Sequence, residues 1–120
     1  MIFFRLSFAA VVALVFATAA YAYSDEAVKD AETLVQMTKD RYAVGEVTAA
    51  DVAQAQIFLL RMKLEAGQMT RAAYCGSALP SAQSIVTGYE SEMRIGQRTV
   101  EDLIDVKTKM YELKAFCQKG

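Results

Sequence analysis

Cys75 and Cys117 are the only thiols in this 120-residue chain, which contains fourteen acidic residues and no histidine. Without imidazole the commonest general base and the commonest transition-metal ligand are missing, so Ser-His-Asp and Cys-His nucleophiles are excluded. Glu90, Glu92, Glu101, Asp102 and Asp105 form an acidic group around one expected turn. Their spacing matches no calcium loop, and helix capping already accounts for Asp102. Two of the six methionines, Met62 and Met110, fall on apolar seams, where core packing explains them better than copper handling. Gly-x-x-Thr lacks the other glycines and the lysine of a phosphate loop. Tyr42, Tyr74, Tyr89 and Tyr111 have no basic groove beside them for stacking bases. The expectation is a protein that is not an enzyme, with no catalytic, cofactor or metal residue, no small-molecule substrate and no nucleic-acid partner.

The role of the two cysteines depends on the compartment. Residues 1–22 carry Arg5, an almost uncharged apolar run from Leu6 to Thr18, and the small-x-small site Ala20-Tyr21-Ala22. This reads as a secretory signal peptide. An uncleaved anchor is the alternative, because Leu6 to Ala22 is barely long enough to cross a bilayer. The thirteen basic residues include Arg5, which leaves twelve against fourteen acidic ones in residues 23–120, a mildly acidic single domain. In an oxidising compartment an even pair of cysteines tends to be bridged, so a structural disulfide Cys75–Cys117 is expected. A redox role would need an activated thiolate and usually Cys-x-x-Cys, neither of which is visible.

The elements that position these residues come from an internal repeat. GEVTAADVAQAQIFLLRMK, Gly45 to Lys63, recurs as GQRTVEDLIDVKTKMYELK, Gly96 to Lys114. In each copy a Gly permits the left-handed end of one helix, and Thr48 or Thr99 caps the next. Asp51 or Asp102 at the third helical position completes a capping box. Downstream, Val52, Ala55, Leu59, Met62 and Ala66 match Leu103, Val106, Met110, Leu113 and Cys117, a three-four spacing that faces a partner helix. Upstream, Ala31, Leu34, Val35 and Val44 align with Ala82, Ile85, Val86 and Ile95. The fold class is therefore all-α: a small helical bundle of two hairpin-like repeats, approximately 25–66 and 81–118.

Finer expectations follow from the punctuation. The continuous run Ile57 to Leu60 marks the second helix as the centre of the fold. Gly67-Gln68-Met69-Thr70 repeats the junction without the Asp and opens only a short helix from Arg71 to Ser77. Pro80 pushes Leu79 out of the helical region, so 76–80 is expected to break the repeats apart. A helix with Gly88 in its interior then runs from Ser81 to Ile95, and a last one from Val100 to Cys117.

RYAVGEVTAADVAQAQIFLL and EMRIGQRTVEDLIDVKTKMYELKA resemble the hairpin-turn segments of TolC-type outer-membrane efflux channels. In that family two homologous halves place an apolar helix end, Gly, Thr and Asp where paired helices turn around, at tips that meet a periplasmic adaptor. The resemblance implies hairpin tips at Gly45, Thr48, Asp51, Gly96, Arg98, Thr99 and Asp102. No alternating barrel strands appear in the sequence. The expected function is protein interaction by a small exported, periplasmic protein, with efflux-type hairpins or with itself. The alternative is a freestanding structural or stress-related domain, touching the membrane only through residues 1–22 if they are retained.

Overall fold

The computed structural model describes residues 25–119, so the proposed signal segment lies outside the described residues. Four helices fill the described part: α1 (25–43), α2 (Ala49–Glu65), α3 (Arg71–Arg94) and α4 (Val100–Gln118), with no strand among them. An all-α bundle is thus what the repeat builds.

Both repeated turns have the expected chemistry. At the first, Gly45 takes φ +80°, Glu46 N–H donates to Arg41 O at 2.9 Å and Gly45 N–H to Tyr42 O at 3.1 Å. At the second, Gly96 takes φ +78° and the same two bonds run to Glu92 O and Met93 O at 2.8 and 3.1 Å. These bonds satisfy carbonyls that the helix end leaves orphaned. Both capping boxes then close: Asp51 N–H donates to Thr48 Oγ1 at 3.3 Å and Thr48 N–H to the Asp51 carboxylate at 2.8 Å. The Thr99 and Asp102 pair does the same at 3.2 and 3.1 Å. Thr70 caps Ala73 N–H at 3.1 Å without a reciprocal bond, because no acid stands three residues on.

The expected break at 76–80 does not occur. α3 is one helix of 24 residues with Pro80 inside it, so a short third helix and a separate one from Ser81 are replaced by a single continuous element. Proline in a helix interior costs about 3 kcal/mol or more. Burial on both sides offsets it: Tyr74 and Ala78 before Pro80, and Ala82, Ile85 and Val86 after it, lie on one buried face. Each large apolar side chain so buried contributes about 1.5–3 kcal/mol. Gly76 and Pro80 are both exposed, so the Gly76 carbonyl that loses its helical donor faces water rather than the core.

α3 is also the centre of the fold, not α2. The core cluster joins Ala82, Ile85, Val86 and Tyr89 of α3 to Ala50 and Ala53 of α2 and to Leu103, Val106 and Met110 of α4. None of Ile57, Phe58, Leu59 and Leu60 is fully buried. The seam expected on α4 faces this core, but on α2 the cluster takes Ala50 and Ala53, one step off the expected stripe. The cause is close approach: a Cβ built on Gly88 would lie 3.2 Å from Ala50 Cβ. Small residues therefore set the α2–α3 contact; of the expected stripe, Ala55 on α2 and Ala66 at its C-cap are buried outside this cluster. On α1, Val28, Ala31 and Val35 form the buried stripe. The aligned pair Leu34 and Ile85 differ, with Leu34 at 45% exposure and Ile85 at 6%.

Candidate functional site at the tip end

The two repeated turns lie side by side. Arg98, in the turn between α3 and α4, reaches Asp51 Oδ1 on α2 with its Nη2 at 3.6 Å. Its Nε donates to Glu92 Oε2 on α3 at 2.7 Å, and its guanidinium carbon lies 4.3 Å from the centroid of the Tyr89 ring. The Tyr89 hydroxyl accepts from Gln54 Nε2 of α2 at 2.7 Å. One side chain thus ties the α3–α4 turn to α2 and to α3 by the fork and face contacts that guanidinium makes well. The hydrogen bond to Glu92 holds Arg98 still further toward its charged form, with partial burial opposing it.

Asp51 divides its carboxylate between two tasks. Oδ2 accepts from the Thr48 backbone and hydroxyl, while Oδ1 faces Arg98. The first turn is thereby tied to the second through the residue that caps it. Asp102 keeps to its own cap; hydrogen bonds from the Thr99 backbone and then its hydroxyl lower the carboxyl pKa. Of the tip residues named from sequence, Thr48, Asp51 and Arg98 meet in one network, Gly45 and Gly96 shape its turns, and Thr99 and Asp102 form a separate cap. Sequence reasoning placed Glu92 only in a loose acidic group and Tyr89 only among scattered tyrosines. Their signal was position: both lie on the buried face of α3, four and seven residues before Gly96, in step with Val86 and Ile85.

Around this network the tip exposes aliphatic surface. Val44 and Ile95, which precede the two turn glycines, are 71% and 70% exposed, and Val100 is 57% exposed. The opposite end is built differently. Cys75 and Cys117 are bridged with Cα atoms 5.8 Å apart, joining the start of α3 to the end of α4. Arg71 donates to the Phe116 carbonyl and lies over that ring at 4.1 Å, while Tyr74 meets Phe116 edge-on at 5.9 Å. Burial pushes the Tyr74 hydroxyl above its ordinary pKa, with Arg61 opposing and Glu65 adding to the rise. α2 and α4 both start at the tips and end at this base, so they run parallel, and α3 returns between them.

Among the described residues no group of three or more His, Cys, Asp or Glu side chains gathers as a metal site, and no helix is long and apolar enough to cross a membrane. The acidic group at 90–105 is dispersed, with Glu92 turned inward to Arg98 and Asp105 paired outward with Lys109 at 3.1 Å. Comparison of the chain with protein-family models, with curated proteins and with solved structures finds no match.

Proposed function

We propose that the chain is an exported helical module that docks through its tip end on the helical hairpins of a protein partner. The reading rests on one observation: two hairpin turns of the same design stand side by side, latched by Arg98, each presenting an exposed aliphatic side chain just before its glycine. Protein-binding surfaces commonly combine exposed apolar groups with a polar surround. The resemblance to TolC-type hairpin turns supplies the class of partner, a periplasmic helical hairpin. The leader at 1–22 and the bridged cysteines support passage through an oxidising compartment. No catalytic step belongs to this reading.

A photo-activated cross-linking residue placed at Val44 or Ile95, and at exposed Lys119 as the distal control, tests it in cells. Adducts from the two tip positions to one protein with a helical hairpin, and none from the base, are the expected result. Equal labelling from both ends, or none from either, leaves a freestanding structural domain as the better description.

A further inference from the structure

α4 carries two stripes. Its inner face sends Leu103, Val106 and Met110 into the core, and on nearly the opposite face Ile104, Thr108, Tyr111 and Ala115 recur at spacings of four, three and four. All four are exposed, Ile104 at 57% and Tyr111 at 60%. The matching positions of the first repeat, Ala53, Ile57, Leu60 and Leu64, are buried or half-buried, so the face that finds cover on α2 has none on α4 among the described residues. Thr108 Oγ1 donates to Ile104 O at 2.9 Å, which satisfies the hydroxyl within the helix. The spacing is that of a coiled-coil seam, and its flanks differ in sign: Lys107 and Lys114 on one side, Asp105 and Glu112 on the other. Asp105 is held by Lys109 of its own helix at 3.1 Å, whereas Lys107 and Glu112 make no ion pair with another described residue.

We infer that this outer stripe is the seam of a parallel homodimer, α4 against α4 of a second copy. The flanks decide both the occupant and its direction. A two-fold axis along the helices sets the basic flank of each copy beside the acidic flank of the other, and in that register Lys107 meets Glu112 of the second copy, five positions on, once on each side of the axis. Turning one copy end for end would instead set lysine beside lysine and acid beside acid. Lys114 adds nothing, because the position it would meet, Lys119, lies past Gln118, the last residue of α4. A foreign helix would have to bring the matching charge pattern, which this chain already carries. One helix face per copy is at the small end of specific interfaces, so the contact is reversible and depends on concentration. The seam leaves Val44 and Ile95 outside it, and because the two copies run parallel the dimer brings both tip ends to one side.

Sedimentation equilibrium of the disulfide-bonded protein purified from its export compartment tests this. Wild type should show a dimer whose share grows with concentration. Lys107→Glu sets acid against acid at both contacts, and Glu112→Lys sets lysine against lysine. Because the axis duplicates the contact, each should weaken self-association by at least about tenfold, with the helical circular dichroism unchanged. Lys107→Glu combined with Glu112→Lys should restore the dimer, since the flanks are again of opposite sign. Tyr111→Glu, on exposed surface, should also give monomer. Val44→Asp with Ile95→Asp should leave the dimer intact, so a loss of docking at the tips and a loss of the dimer are read separately. A wild type that stays monomeric up to about 1 mM, a range in which even weak complexes form, overturns the proposal. So does a dimer indifferent to both single reversals, or one that the double exchange fails to restore.

Discussion

At the tip end Arg98 lies over the Tyr89 ring between two carboxylates, and at the base Arg71 lies over the Phe116 ring beside a disulfide. The same cation-on-ring contact therefore joins helices at both ends, but what backs it differs. At the base the backing is covalent and indifferent to salt. At the tip it is electrostatic and only partly buried, Arg98 retaining 27% side-chain exposure. Ion pairs in that position weaken with salt and can exchange partners. The exposed aliphatic residues Val44 and Ile95 also lie at the tip. A covalent base leaves the other end free to be held by contacts that a partner can complement.

The largest effect should come from the base. Replacing Cys75 and Cys117 by serine opens a loop spanning a sequence separation of 42, worth about 4 kcal/mol on the chain-entropy account. Urea unfolding should show it, and a loss below about 1 kcal/mol would mean that the base is not the locked end, since one or two kcal/mol is already a large share of a small domain's stability. Arg98→Ala comes next. It strands the Glu92 carboxylate, whose side chain is only 10% exposed, and should cost about 2–3 kcal/mol, the range for losing a charged hydrogen-bond partner. Arg71→Ala in the bridged protein should cost less, because the disulfide still holds the joint. A reversed order would invert the comparison between the ends.

The turns were legible in the sequence because their chemistry is local. The turn and cap bonds of Gly45, Thr48 and Asp51 run to residues within five positions, so a reader of the chain sees those partners. The all-α class and the α4 seam follow from the same short-range periodicity. Pro80 misled because its local rule is sound but loses to burial of Tyr74, Ala78, Ala82 and Ile85, which depends on α2 and α4. Gly88 carries the usual helix-interior cost of glycine by local rules, whereas its missing side chain is what admits Ala50. The Arg98 latch could be named only in part, since Arg98 to Asp51 spans two repeats and no spacing rule connects them.

Smaller effects sharpen the account of the turns. Thr48→Ala and Thr99→Ala should each cost about 1 kcal/mol, the usual worth of an N-cap. Thr70→Ala should cost less, because that cap has no reciprocal acid. Thermal unfolding of the three variants side by side checks the order. The smallest effect is a pH dependence. The Asp102 pKa is lowered in the folded protein from an ordinary 3.8 by bonds from Thr99. Its contribution to stability is therefore whole above that ordinary value and fades as pH falls through the lower folded one. Asp102→Asn should flatten that part of the acid-unfolding profile, and a profile identical to wild type would remove Asp102 from the account.

The most direct measurement is the affinity of the cross-linked partner, once purified, for three proteins: wild type, Val44→Asp with Ile95→Asp, and Lys119→Glu at the base. The tip variant should keep its unfolding midpoint and lose at least about tenfold in affinity, 1.4 kcal/mol, while the base variant binds as wild type does. Undiminished binding by the tip variant, or equal losses at both ends, would contradict docking through the tips.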